Sequence, residues 1–202
     1  LSEHITESGV VGMAYQSEPT PLLWVVRGDG QMATLTADRD QDVFAWARQV
    51  TQGSFESVAT VPVADGYRVF VVVARVIDGQ LTRYIEMLEP GLQTDSAVTG
   101  TSEAGATVWT GLDHLEGMRV RVKGDGIKLT DRVVEGGAIT IERPAKTIEI
   151  GLDYVTTIKT LRPEFSVPVG TIRNAKVNVF EAGVELLDSI GCTINLQQVA
   201  FQ

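Results

Sequence analysis

Cysteine and histidine, which supply most metal ligands and many catalytic groups, are nearly missing from this sequence. A single cysteine, Cys192, excludes an intramolecular disulfide. The two histidines, His4 and His114, are not spaced with it in any pattern typical of a zinc site. Cys192 opens an apolar segment, where a buried structural thiol is more common than an activated nucleophile. We therefore predict no catalytic, cofactor-binding or metal-ligating residues, no cofactor and no enzymatic activity.

Long hydrophobic runs are also missing. The longest apolar run, 69–74, is far shorter than the roughly 20 residues that a membrane-spanning helix needs, so no such segment is expected. The first residues show no basic segment followed by an apolar core, so no signal peptide is predicted. Since the chain begins at Leu1 rather than at methionine, we expect it to be a piece of a longer protein.

Positive charge is scarce: 26 acidic residues stand against 17 basic ones, and the net charge is −9. Such a surface repels the phosphates of nucleic acid, so a module that grips DNA is not expected. The same repulsion suits a wall that DNA slides past. With one cysteine, the composition fits an intracellular or virion-assembled protein better than a secreted protein held together by disulfides.

What the sequence does contain is alternating apolar and polar residues with many β-branched side chains, a pattern typical of strands. Asp-Gly pairs such as Asp29-Gly30 and Asp78-Gly79 separate the runs and favour tight hairpin turns, because these turns require positive φ. The best helical segment, 40–48, suits a strand about as well. The strands predicted in the first half are 10–16, 22–27, 31–36, 43–48, 55–61, 68–76 and 81–88.

Two segments, 22–39 and 68–88, share one plan: an apolar strand, the tripeptide Asp-Gly-Gln and a second strand. Gly30 and Gly79 hold equivalent places, so the repeat period is 79 − 30 = 49 residues. Another strand precedes each copy, and a fourth follows the first copy. Four antiparallel strands that repeat at roughly 40–50 residues are typical of β-propeller blades. Residues 1–95 hold fewer than two such blades, whereas a closed ring needs about four.

The composition changes after the second copy. Residues 89–106 are rich in Gly, Ser, Thr, Ala and Pro and show little apolar periodicity. Such a segment is typical of a linker or a long surface loop. We therefore predict a propeller-blade-like antiparallel β region over 1–95, followed by a linker over 96–106.

Shorter strands and Gly-containing turns follow the predicted linker. They indicate a small β-barrel or sandwich module over 107–162. A C-terminal β segment, 163–202, is expected to rejoin the first region. The predicted fold class is all-β: partial β-propeller blades, then a small β-barrel or sandwich module and a C-terminal β segment. The strands predicted in these two parts are 118–123, 127–134, 138–141, 147–152, 154–161, 175–183 and 192–201.

Several short motifs could carry chemistry, and each also has a structural explanation. His114 with Asp113 and Glu116 could form a weak metal site, but a turn histidine beside two solvated capping carboxylates is more common. The two Gly-Asp-Gly tripeptides, 28–30 and 124–126, supply one carboxylate each, which is too few for a calcium loop. We interpret both tripeptides as hairpin turns.

Aromatic residues offer a second class of function. Trp24 and Trp46 each lie within a predicted strand, where packing between sheets explains them better than a binding role. Trp109 and Tyr154 could instead be presented to a glycan by the module at 107–161. A carbohydrate-binding or adhesin-type β module is therefore the alternative hypothesis, and an enzyme is a third.

Four stretches are distinctive in combination: Gly-Ser-Phe-Glu-Ser-Val-Ala at 53–59, Arg-Tyr-Ile-Glu at 83–86, Gly-Leu-Asp-His-Leu-Glu-Gly at 111–117 and Ile-Glu-Ile-Gly-Leu-Asp-Tyr at 148–154. Together and in this order they resemble the tail nozzle proteins of short-tailed bacteriophages. That family is also called tail tubular protein B or packaged-DNA stabilisation protein. The resemblance runs from about residue 9 to residue 162 and continues weakly through 175–183.

The resemblance implies a structural virion protein, located in the phage tail and, during assembly, in the host cytoplasm. It implies a homohexameric nozzle or tube that retains packaged DNA and forms the channel for its ejection. The implied partners are portal and adaptor (head-tail connector) proteins, tail fibres or spikes, and double-stranded DNA that passes without specific binding. The implied fold is a β-propeller with inserted small β-barrels, and this chain is similar to its C-terminal part. The family offers no catalytic residues to carry over.

Overall fold

A computed structural model describes residues 3–160, 166–167, 170–171, 183–186 and 192–198. In that part of the chain the protein is all-β, with several antiparallel sheets, none of them closed into a barrel. The chain divides into two compact units, Leu1–Tyr154 and Val155–Gln202. One short helix, α1 (Glu3–Thr6), and one 3-10 turn, Asp113–Leu115, accompany the strands in the described residues. The strands are β1 (Val10–Gln16), β2 (Leu22–Arg27), β3 (Met32–Asp38), β4 (Val43–Gln49), β5 (Ser54–Val63), β6 (Gly66–Ile77), β7 (Gln80–Leu88), β8 (Asp95–Thr110), β9 (Arg119–Gly124), β10 (Ile127–Lys128), β11 (Arg132–Val133), β12 (Ala138–Leu152), β13 (Ser166–Val167), β14 (Gly170–Thr171), β15 (Thr193–Ile194) and β16 (Gln197–Gln198).

The first half of the chain forms two antiparallel sheets of consecutive strands. The first sheet has the order β1-β2-β3-β4, and the second sheet has the order β5-β6-β7. The seven strands predicted in this half are confirmed, and the ambiguous segment 40–48 lies mostly in β4. The first copy of the repeat therefore lies in a four-stranded antiparallel sheet, as predicted. The second copy lies in a three-stranded one, because the next strand, β8, pairs with β12 instead.

The hairpin turns of the repeat have the backbone conformation that the Asp-Gly pairs predict. Positive φ occurs at Gly30 (77°), at Asp78 (48°) and at Gly79 (73°). Two consecutive residues in the left-handed region are typical of the primed turns that match the twist of paired strands. In the first hairpin only the glycine has positive φ, and the turn is one residue longer.

The first and second sheets pack on each other through one apolar face each, here called their inner faces. The core between them contains Val26 and Met32 from the first sheet, and Phe55, Val71 and Val73 from the second. Backbone contact reinforces the packing, since the Phe55 amide donates to the Gly30 carbonyl at 2.8 Å. The opposite face of each sheet is here called its outer face.

The third sheet has the order β10-β9-β12-β8, and β11 pairs with β9. Its strands alternate buried and exposed residues, as expected for a sheet with one covered face. The covered face, together with the loop at 112–115, encloses a core of its own. The buried members of that core are Leu112, Leu115, Val120, Val122, Val134, Ile139, Ile141, Ala145, Ile148, Ile150 and Leu152.

The linker predicted at 96–106 is wrong, because these residues lie inside β8. Gly, Ser and Thr indicated a loop, but β8 pairs with β12, whose apolar residues supply most of the core on that face. Small residues are also needed for packing here. A Cβ added to Gly100 would lie 2.8 Å from the Cζ3 atom of Trp109, so the glycine makes room for the indole ring.

Further strand predictions after residue 110 also need correction. The single strand predicted at 127–134 is two short strands, β10 and β11, which both pair with β9. The strands predicted at 138–141 and 147–152 are one strand, β12, which continues through Pro144 with register shifts against β8 on either side of Ala145. Proline is tolerated there because a bulge removes the need for a ladder hydrogen bond. The strand predicted at 154–161 has no regular secondary structure in its described part, 154–160.

The C-terminal predictions fall largely outside the described residues. This holds for the strand at 175–183 except its last residue, and for the expectation that 163–202 rejoins the first region. Within 192–201, the described residues form the hairpin β15–β16 rather than one strand. Asn195 and Leu196 both have positive φ in its turn.

Candidate functional site

Arg75 on β6 is the most deeply buried charged side chain in the described residues, with 1% of its surface exposed. All five of its N–H groups have an acceptor. Nε and Nη2 donate to the two carboxylate oxygens of Glu86 at 2.9 and 2.7 Å. Nη1 and Nη2 donate to Asp95 at 3.1 Å each, and Nη1 also donates to the Gln52 carbonyl at 3.0 Å. The guanidinium therefore links β6, β7 and the start of β8.

We call Arg75, Glu86 and Asp95, with Thr51 and Ser96 around them, the arginine junction. The Thr51 hydroxyl donates to Asp95 at 2.6 Å, and the Ser96 hydroxyl donates to Glu86 at 3.1 Å. Burial by itself would lower the pKa of Arg75, but the hydrogen bonds and charges of the two carboxylates hold that pKa above its usual value. Such a paired, fully bonded cluster fixes the second sheet to the third and offers no free group for chemistry.

His114 lies beside this junction and is engaged in local contacts. Its Nε2 is 3.2 Å from the carbonyl oxygen of Ser96, and its ring meets that of Tyr84 edge-on, with centroids 6.2 Å apart. Ser96 itself has a positive φ of 50°, so the contact secures a strained start of β8. These contacts match the prediction of a turn histidine with structural partners.

The two carboxylates beside His114 do not converge on it as ligands. Glu116 accepts hydrogen bonds from the amides of Gly136 at 2.9 Å and of Gly137 at 2.7 Å, so it caps that turn. Asp113 lies against the same turn, since a Cβ on Gly137 would approach its Oδ1 to 2.5 Å. Across the described residues, no group of three or more His, Cys, Asp or Glu side chains could hold a metal ion.

Asp125, from the second Gly-Asp-Gly tripeptide, also acts within the fold. Its Oδ1 accepts from the amides of Lys146 and Thr147 at 2.9 Å each, and from the Thr147 hydroxyl at 3.2 Å. The hydrogen bond from the Thr147 amide is the main reason that the pKa of Asp125 lies below its usual value. The residue ties the β9–β10 turn to β12, as a hairpin interpretation predicts.

An open pocket of about 450 Å³ lies on the third sheet beside Gln52. Its charges are paired with each other. Arg121 donates to Asp131 at 3.1 Å and to Asp153 at 2.9 Å, and Arg119 donates to Asp131 at 3.0 Å. The hydrogen bond with Asp153 is the main reason that the pKa of Arg121 is raised. The pocket therefore presents no unpaired arginine or carboxylate to a ligand.

The aromatic residues considered for glycan binding lie in different environments. The Trp24 indole donates to Gln16 at 3.3 Å and packs against the core between the first two sheets. Trp109 packs against the core of the third sheet, with its ring over Gly100. Tyr154 is exposed at the end of the first unit. Trp109 is thus used mainly for packing, which weakens the case for a stacking surface.

The outer faces of the first two sheets are the strongest candidates for a functional surface. On the second sheet, Val76, Leu81 and Ile85 are all more than half exposed. On the first sheet, the same is true of Met13 and Phe44. Clustered exposed apolar residues mark interaction surfaces. The sequence carried a signal for this, because the unbroken apolar run 69–74 is typical of a strand covered on both faces.

No helix in the described part of the chain is long and apolar enough to cross a membrane. Cys192 is a free, partly buried thiol just before β15. No protein-family model matches the chain, and no curated protein matches it.

Proposed function

We propose that the protein is a structural component of a virion, a subunit of the tail nozzle of a short-tailed bacteriophage. In this role it forms a homohexameric tube with portal and adaptor proteins above it and tail fibres or spikes around it. The tube retains packaged DNA and lets it pass at infection. The protein acts by packing and exclusion rather than by catalysis.

The observation that supports this proposal best is the stacking of two sheets that share one sequence plan and are each apolar on both faces. A sheet with two apolar faces needs neighbours on both sides, as blades have in a β-propeller. In the proposal the first and second sheets are such blades, and the third sheet belongs to an inserted module of the barrel or sandwich type. The resemblance over residues 9–162 adds the phage assignment.

The described side chains fit a role without chemistry. The buried charges of the arginine junction are saturated by one another, and Glu116 and Asp125 are used as turn caps. A glycan-binding module has less support, because Trp109 packs over Gly100. A glycan array with the wild-type chain and Trp109→Ala tests that alternative: binding that disappears in the variant would favour it over the nozzle.

The decisive experiment locates the protein in particles. Virions purified through a density gradient are probed by mass spectrometry and by immunogold labelling with antibodies to this chain. The proposal expects peptides of this chain in the particles, label at the tail and co-purification with the adaptor protein. A protein found only in the lysate of infected cells, and never in particles, would contradict the proposal.

Duplex DNA provides an independent test of the proposed channel wall. Each Lys or Arg contact to a phosphate adds a salt-dependent grip, which would slow passage. With 26 acidic and 17 basic residues, the chain is expected to show no measurable binding in a titration of labelled duplex at physiological salt. Micromolar binding by the unmodified protein would contradict a non-sticking wall.

A further inference from the structure

Strand pairing shows which positions of the first and second sheets are equivalent. The two hairpins share the motif Asp-Gly-Gln, which fixes their alignment at the turn. The corresponding ladder pair is Val26 with Met32 in the first sheet. In the second sheet it is Val76 with Leu81. Because side chains alternate between faces with period two, every second pair along the ladder shares a face with these residues.

The equivalent pairs lie in opposite environments. Val26 and Met32 are buried on the inner face of the first sheet, in the core between the two sheets. Val76 and Leu81 are exposed on the outer face of the second sheet. Farther along the same face lies Ile85, which is 79% exposed. The face that the first sheet buries is thus the face that the second sheet leaves open.

The other two faces show the reverse relation only in part, because the outer face of the first sheet is open toward its edges but buried at Val25 and Ala33. Val73 pairs with Tyr84 on the inner face of the second sheet, and Val73 is part of the core. Their equivalents are Leu23 and Leu35, which pair on the outer face of the first sheet. Tyr15 pairs with Leu23 at the edge of that face and is exposed. The two sheets therefore stack head to tail, and the stack ends in two unlike, complementary faces.

We propose that the outer face of the second sheet binds the outer face of the first sheet in a second copy of this chain. The two sheets already pack on each other within one chain. The proposed contact is the same packing, formed between sheets of two copies. A second copy carries the required face, because the outer face of its first sheet is equivalent to the inner face of the second. Arg83 on the binding face donates hydrogen bonds to the Glu56 carboxylate at 2.7 and 3.0 Å. The contact with the second copy would therefore cover an ion pair rather than an unpaired charge.

A head-to-tail contact of this kind is heterologous, so it generates a closed ring or an open chain, depending on the rotation between subunits. The inference goes beyond the proposed function, because it assigns the missing neighbours of the two outer blade faces to a second copy of the chain. Its basis is strand pairing and exposure, not the phage resemblance. If the protein did not bind the adaptor protein, the proposed function would be contradicted, but the inferred contact between two copies would not.

The first test measures assembly by sedimentation velocity and light scattering. The wild-type chain, with a monomer mass of 21.8 kDa, is expected to form species whose mass rises with concentration. Ile85→Lys and Met13→Lys, one on each binding face, are expected to reduce the mass to that of the monomer. Ile127→Lys on β10 is the matched control: this residue is also exposed but lies on the third sheet, and its variant is expected to assemble like the wild type.

The second test mixes the two assembly variants. Ile85→Lys keeps the first-sheet face and Met13→Lys keeps the second-sheet face, so the mixture is expected to form a dimer and nothing larger. If Met13→Lys alone still dimerised, the contact would be symmetric and the proposal wrong. A wild-type chain that stays monomeric up to about 100 µM would also overturn it, since a specific interface associates well below that concentration. The proposal would be overturned as well if Ile85→Lys and Met13→Lys each assembled like the wild type.

Discussion

The first two sheets and the third sheet solve the same packing problem in different ways. The third sheet encloses a core of eleven buried residues within its own part of the chain. The first two sheets contain ten buried apolar residues, of which five form the core between them, and they leave apolar side chains exposed on both outer faces. The third sheet thus buries its apolar face within its own part of the chain, whereas the first two sheets would gain further stability if their outer faces were covered.

The largest expected effect comes from breaking the arginine junction, which connects these two regions. Arg75→Met keeps most of the apolar stem but removes the charge that Glu86 and Asp95 share. Loss of one partner from a buried ion pair costs about 3–5 kcal/mol of unfolding free energy. Arg83→Met, which breaks the pair with Glu56, is the matched control and should cost far less, because both of those side chains are exposed and water screens their charges. Urea unfolding measures both, and equal losses would contradict the special role of Arg75.

A matched pair of isoleucines compares the two regions directly. Ile150 is 1% exposed in the core of the third sheet, whereas Ile85 lies on the open face of the second. Ile150→Ala is expected to cost about 2–5 kcal/mol, because it leaves a cavity. In dilute monomer, Ile85→Ala is expected to change stability by about 0.5 kcal/mol or less. Thermal unfolding tests this, and a large loss for Ile85→Ala would mean that the outer face is covered within the monomer.

The hairpin glycines sharpen the comparison between the two copies of the repeat. Gly79→Ala is expected to cost about 1 kcal/mol, because the residue has positive φ but open space around it. Gly30→Ala should cost more, because its Cβ would lie 2.8 Å from the Cβ and Oγ atoms of Ser54 in the second sheet. Chemical denaturation of both variants checks the order. Equal costs would mean that Ser54 moves aside freely.

The smallest expected effect concerns acid stability of the third sheet. The pKa of Asp125 is lowered in the folded state, so its ionised form stabilises the fold above its usual pKa near 4. That contribution is lost as the pH falls through the lowered pKa. Asp125→Asn should therefore lose stability at neutral pH and show a shallower decline in stability as the pH falls below about 4. Asp78→Asn, at the same position of the β6–β7 turn, is the control. If stability depended on pH identically in the wild type, Asp125→Asn and Asp78→Asn, the role of Asp125 would be ruled out.

The strands of the first half could be predicted because alternation and Asp-Gly turns are local signals. The arginine junction could not, and the reason can be traced to particular residues. Arg75 closes an apolar stretch of β6 with nothing nearby in sequence to show its partners. One partner, Glu86, is eleven residues away, and the other, Asp95, borders the segment predicted as a linker. Once β8 is interpreted as a loop, no reason remains to place Asp95 against the second sheet.

The turn caps show the same limit. Glu116 was considered as a weak ligand because it follows His114 in sequence, but its partners are amides twenty or so residues away. The free apolar faces were indicated by the run 69–74, although only the register shows that they are equivalent to buried ones. Local patterns thus predict elements well, while contacts between distant elements depend on pairings that a single sequence does not display.

The composition of β8 has a consequence for the order of folding. In the β8–β12 ladder Leu152 pairs with Asp95, which is 152 − 95 = 57 residues earlier. During synthesis β8 leaves the ribosome well before its partner, β12, so its backbone hydrogen-bonding groups stay unpaired until β12 has been made. A strand rich in Val, Ile and Phe would be prone to aggregate during that wait, whereas one built of Gly, Ser, Thr and Ala is not. Pulse-labelled hydrogen exchange should find the β8 amides protected after those of the β6–β7 hairpin, because long-range pairing forms slowly. The small and polar residues that make β8 resemble a loop in the sequence are therefore expected to lower the tendency of the unpaired strand to aggregate.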